Sequence, residues 1–203
     1  MGRLAMICAL LGAFWLLAMV VVGGFTFPGY DHLSQYISEL GANGAPYGYE
    51  VSWYGFLPVG LLTIAFAVFA WLATSRSLLG TLGFIGVVLF AIGYVGATFF
   101  PCDYGCRPEE PSPSQAMHLL LGLAGYVFAP LTLLLLAFAA RKWPNAGGVA
   151  LTGFIAAPIA LGAFLTMSPD SPLVGLSQRA LEASVMGWVV ICGLYLGHQP
   201  RAR

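Results

Sequence analysis

Apolar residues gather in six long blocks along this chain, at about residues 4–25, 53–74, 78–100, 116–140, 147–167 and 181–197, separated by short polar connections. The blocks lack the alternation of apolar and polar positions that a membrane barrel strand carries. Each is close to the length, about 20 residues, that a helix needs to cross the hydrocarbon core. A bilayer interior offers no water to unpaired backbone groups, so such blocks must be helices. The pattern predicts an all-α integral membrane protein, a bundle of six transmembrane helices forming one domain over residues 1–203. The first block outruns the apolar core of a secretory signal, about 7–15 residues, and is read as an uncleaved helix.

Composition supports the same class: 59% of the residues are hydrophobic, 8% are charged and the mean hydropathy is +0.86. A soluble domain lies far from those values. Six crossings leave no room for a soluble domain beside them. The formal net charge is +0 and no basic run occurs, which sets aside a nucleic-acid binder.

Charge placement gives a direction. With six crossings, Arg3, Arg76, Arg141, Lys142, Arg201 and Arg203 fall on one side of the membrane and only Arg107 and Arg179 on the other. The positive-inside bias then predicts both termini in the cytoplasm of a plasma membrane. Every acid, Asp31, Glu39, Glu50, Asp103, Glu109, Glu110, Asp170 and Glu182, falls at the outer face, whose longer loops carry most of the polar residues in any case.

Some local signals are written plainly. Ser112, Pro113 and Gln115 read as a cap, a first helical residue and a capping-box partner, so helix four should start there. Ser168-Pro169 suggests a short turn before helix six. Pro58, Pro130 and Pro158 lie inside spans, where a missing amide bends a helix. Glycines at Gly80, Gly83 and Gly86, at Gly122 and Gly125, and at Gly193 and Gly197 allow close helix approach and offer faces for a membrane-protein partner. The segments Leu33–Glu39 and Leu176–Glu182 share L-S-Q-x-x-x-E, but not at positions a three-plus-three repeat would align, so the match reads as coincidence.

The first long loop concentrates polar groups in "DHLSQYISELGANGAP". Asp31 can cap a short helix ending at Gly41, with Asn43-Gly44 turning and Pro46 preventing further helix. Leu33, Tyr36, Ile37 and Leu40 then form an apolar stripe, while His32, Gln35 and Glu39 project elsewhere, which predicts an amphipathic interfacial helix. "YISELGANGAPYG", followed by a helix, "FFPCDYGC" and a His early in helix four, resembles the bacterial membrane family catalogued as domain of unknown function 998, across the six-helix layout. The "ISELG…P" core is more distantly similar to a eukaryotic six-helix family that includes lysosomal autophagy modulators and GPI-anchor lipid-remodelling factors. That resemblance implies a role near lipids and carries no catalytic mechanism.

Cys102 and Cys106, separated by three residues on the oxidising side, suit a disulfide that Gly105 helps to close. A redox pair or a metal thiolate pair is the alternative. Cys8 and Cys192 lie within helices. Arg179 and Glu182 either pair with each other or both reach the headgroups.

A site is expected where the outer loops meet. His32, Gln35, Glu39, Asp103, His118, Arg179 and Glu182 are the candidate ligand-binding residues for a lipid headgroup or other amphiphile, with the three acids satisfied by His32, His118 and Arg179. Asp170 could join them. His32, His118 and Asp103 offer two imidazoles and a carboxylate, a set that suits zinc, although no metal motif matches their spacing. A serine route would use Ser34 or Ser38 with His32 or His118 as base, leaving His32, Ser34, Glu39, Asp103 and His118 as catalytic candidates. Three functions follow: amphiphile binding without a cofactor, lipid hydrolysis or acyl transfer with or without zinc, and a structural subunit of a membrane complex.

Overall fold

The computed structural model describes residues 1–199, so Arg201 and Arg203 of the orientation argument lie outside the described residues. Six helices in that range are long and apolar enough to cross a membrane: α1 (Gly2–Thr26), α2 (Gly48–Ala73), α3 (Leu78–Phe99), α4 (Pro113–Ala140), α5 (Gly147–Thr166) and α6 (Val174–His198). Consecutive helices pack side by side and α6 returns to α1, closing a ring; α6 also touches α2 and α4. Residues 74–77 and 141–146 make brief turns at one end, and residues 27–47, 100–112 and 167–173 form longer loops at the other.

The helix starts follow from local chemistry. Ser112 Oγ accepts the Gln115 amide at 3.1 Å, so α4 starts as its sequence predicts. Ser77 does the same for α3, accepting the Gly80 amide at 3.1 Å. Two boundaries differ from expectation. Helix α2 begins at Gly48, and its Val51–Phe56 stretch is wound as a π-helix. Pro58 has no N–H, which orphans the carbonyl of Tyr54 four residues earlier. The Trp15 indole of α1 donates to that carbonyl at 2.6 Å, and the Thr98 hydroxyl donates to Ser52 O at 3.0 Å. The proline is thus absorbed by a wide turn, in which Ser52 O also takes the Leu57 amide, and by one borrowed donor, the Trp15 indole. Pro130 and Pro158 sit inside continuous helices.

Helix α6 begins at Val174, seven residues before its apolar block, because Gln178, Arg179 and Glu182 all find polar partners. Of the six helices it is the least apolar and the most enclosed.

Helices in lipid gain little hydrophobic drive toward one another, so close packing holds them. A Cβ on Gly193 would stand 2.7 Å from Ala9 Cβ, where α6 meets α1, and one on Gly125 would stand 2.8 Å from Phe90 Cα. Gly83 faces Leu136 and Gly86 faces Thr132 in the same manner. Most of these glycines therefore serve contacts within the ring. The interior is divided along its length. Toward the short turns it is filled by Phe66, Phe84, Trp143 and Trp188, with the Phe84 and Trp143 rings stacked at 6.3 Å. Toward the long loops it holds Tyr94, Tyr126, Gln178 and Glu182.

Candidate functional site

The first long loop is a plug. Its expected helix from Asp31 to Gly41 is replaced by an Asp31-centred turn followed by a single 3₁₀ stretch, Ile37–Gly41. Asp31 explains the difference, since its carboxylate accepts the Leu33 amide at 3.0 Å and the Ser34 hydroxyl at 2.7 Å, a local turn that competes with a helix. Leu33 stays exposed, while Ile37 and Leu40 insert into the mouth of the ring. Gly41 is needed there, because a Cβ would collide with the Phe56 ring.

The two look-alike segments meet face to face. Leu176 N donates to Leu33 O at 3.0 Å, and Ile37 N donates to Gln178 Oε1 at 2.6 Å. A Cβ on Gly175 would strike the Gln35 carbonyl, so glycine at that position permits the contact.

The candidate residues fall into four groups. In the plug, Glu39 is buried and accepts Gln35 Nε2 at 2.8 Å and the Tyr36 amide at 2.9 Å. Arg107 reaches to 3.9 Å from Glu39, donates to Ser34 O at 2.9 Å and to Pro169 O at 2.6 Å, and so ties all three long loops together.

Arg179 forms the second group. Its guanidinium donates to Gln35 O at 2.9 Å, to the Tyr30 hydroxyl at 2.7 Å and to His32 Nδ1 at 2.9 Å. Accepting that bond requires an unprotonated Nδ1, and burial together with the adjacent Arg179 charge holds the His32 pKa below its ordinary value. Burial pushes the Tyr30 hydroxyl up to about 12, against the pull of Arg179.

Asp103 forms the third, accepting the Ser112 amide at 2.9 Å and the Ser112 hydroxyl at 2.7 Å. These two bonds hold its carboxyl below the usual carboxylate range. Cys102 and Cys106 form the expected disulfide beside it.

The fourth group is the interior one. Glu182, 5% exposed, accepts hydroxyls from Tyr94 and Tyr126. Gln178 Oε1 takes the Ile37 amide, so its Nε2 must face Tyr126, donating to that hydroxyl at 2.8 Å. Tyr126 then has its own proton to give Glu182, and the network runs in one direction from plug to carboxylate. The residues surround a pit of about 60 Å³ whose walls include Phe56, Phe90 and His118.

The pit adjoins a cleft of about 520 Å³, with Ser38, His118, Gly122, Tyr126 and Gln178 lining both. Arg107, Gln115, Leu119, Leu123, Phe164 and Met167 complete the lining of the cleft, part of which lies between α4 and α5.

The expected pairings of Glu39, Asp103 and Glu182 with His32, His118 and Arg179 are therefore not the ones formed. Arg179 and Glu182 leave α6 toward different surroundings, the plug and the interior. Asp170 is exposed on its turn. Among the described residues no three His, Cys, Asp or Glu side chains gather as a metal-binding group, so His32, His118 and Asp103 do not assemble the zinc set. Ser34 bonds Asp31, Ser38 Oγ lies 3.4 Å from Cys106 Sγ, and His118 Nδ1 lies 3.0 Å from Phe100 O, so among the described residues neither candidate serine bonds a histidine. Tyr94 and Tyr126 were not anticipated from sequence, although a carboxylate within a span demands donors and a tyrosine far from the interface is one source of them.

Six apolar helices closed into a ring define a multi-pass α-helical membrane protein. The chain belongs to the family described as protein of unknown function (DUF998), which it matches over residues 10–195. No curated protein and no solved structure matches it.

Proposed function

We propose that this protein binds an amphiphile at its long-loop end, with the polar head over the cleft and pit and the tail along the apolar wall between α4 and α5. One observation carries the reading: a cleft whose lining mixes the polar Arg107, Gln115 and Gln178 with the apolar Leu119, Leu123 and Phe164 adjoins the pit that holds Glu182. Ligand sites combine a mostly apolar lining with a few placed polar groups in this way. The resemblance of "ISELG…P" to the eukaryotic lipid-associated family points toward the same class of ligand. The distribution of Arg3, Arg76, Arg141 and Lys142 supports cytoplasmic termini, with the cleft at the outer leaflet of the plasma membrane.

Gly122 supplies the test. It lies where cleft and pit join, and a Cβ there would meet nothing within 4 Å. Gly122→Leu should fold as the parent does and lose bound lipid in native mass spectrometry of the purified protein. Equal lipid retention by parent and variant would refute the reading.

A hydrolase or acyl transferase is the second reading, favoured by His118, which lines both spaces and keeps Nε2 for a ligand while Nδ1 is engaged with Phe100 O. It requires turnover of an ester-linked amphiphile that His118→Ala abolishes with folding intact.

A further inference from the structure

We propose that the pit takes a cation, and specifically the protonated amine at the end of an amphiphile's head. The inference rests on the amphiphile reading and adds the head's chemistry to it.

Glu182 is a buried carboxylate without a basic counterpart. Among the described residues the ion pair within 4.0 Å is Arg107 with Glu39, and no Lys, Arg or His nitrogen reaches Glu182. Its neighbours in the network are the Tyr94 and Tyr126 hydroxyls, with Gln178 beyond them. Because Tyr126 is committed to donating toward Glu182, the group acts as an acceptor there. Each carboxylate oxygen keeps a further lone pair for another donor. A charge placed in a span is costly and normally faces a partner or a wet cavity. Here the missing partner is a positive charge.

The walls fit the same sign. Phe90 meets Tyr94 edge-on at 5.7 Å and Tyr126 at 6.1 Å, and Phe56 lies 6.2 Å from Tyr94, so aromatic rings surround the space beside the carboxylate. Aromatic faces attract ammonium groups. The volume, about 60 Å³, is that of about two waters, which admits an ammonium group. An amine also brings three donors to a site whose free valences are acceptors. Entry is from the cleft past Gly122, which leaves the rest of the molecule against Leu119 and Leu123.

The test uses the full chain in lipid nanodiscs, titrated with octylamine, octan-1-ol and octanoate, with thermal unfolding and native mass spectrometry as readouts. Octylamine should stabilise and bind at least about tenfold more tightly than the alcohol, and Glu182→Gln should remove that difference. Gly122→Leu should weaken all three ligands. If octan-1-ol binds as well as octylamine in the parent, the amine assignment is wrong while the amphiphile reading stands, and that comparison needs no variant to fold. If none of the three binds and Gly122→Leu changes nothing, both fail. Glu182-dependent stabilisation by sodium or potassium chloride, with none by octylamine, would make the pit an inorganic cation site and overturn the proposal.

Discussion

Gln178 on α6 accepts the Ile37 amide at 2.6 Å and passes a hydrogen bond to Tyr126 at 2.8 Å, so one side chain joins the plug to the interior carboxylate network. Gln178→Leu would leave the buried Ile37 amide unpaired and free Tyr126 to turn. An unsatisfied buried donor costs about 1–3 kcal/mol. Thermal unfolding in detergent should show a loss of that order. Gln178→Glu keeps an acceptor for Ile37 and should lose less.

Asp103 should make the protein sensitive to acid. Its carboxyl titrates below its ordinary 3.8 because Ser112 donates its amide and hydroxyl to the ionised form. A depressed carboxylate contributes stability that is complete above the unfolded value and is lost as the pH falls through the folded one. Below pH 3.8, then, the parent should lose stability faster than Asp103→Asn, measured by unfolding temperature across an acid series.

His32 carries the same sign at higher pH. Its pKa is held below 6.5 by burial and by Arg179, so the folded state resists the proton that the unfolded chain accepts. Stability should fall as the pH drops below 6.5, and His32→Gln should flatten that limb of the curve.

The Cys102–Cys106 bridge closes a very small ring, with a sequence separation of 4. Chain-entropy reasoning assigns about 2 kcal/mol to such a loop. Replacing both cysteines by serine should lower stability by about that amount, and reductant should affect the parent and leave the double variant unchanged.

Two glycines one turn apart on α4 should behave in opposite ways. A side chain on Gly125 would run into the Phe90 backbone, whereas one on Gly122 would point into open space. Overpacking costs about 1–3 kcal/mol, so Gly125→Leu should unfold at markedly lower temperature than Gly122→Leu.

The six crossings were legible because span length depends on a bulk property, the cost of exposing polar backbone to lipid. The Ser112 cap and the disulfide were legible because each uses neighbours in sequence. What hydropathy could not show was the first turn pair of α6, where Gln178 and Arg179 owe their place to the distant partners Ile37 and Tyr30. The Asp31 turn was misread for a related reason: the same capping side chain serves a helix start and a closed local turn, and Ser34 decides between them. The partners of Glu182 come from α3 and α4, and only the ring brings Tyr94 and Tyr126 to it.

Helix α6, which carries that carboxylate, is the last of the six to leave the ribosome, and it fills the gap between α1 and α5. Tyr94 on α3 and Tyr126 on α4 both precede Glu182 in the order of synthesis. The most polar segment can thus exchange the translocon for a prepared hydroxyl pocket without a sojourn among acyl chains, so membrane insertion of the final segment should depend on the five that precede it.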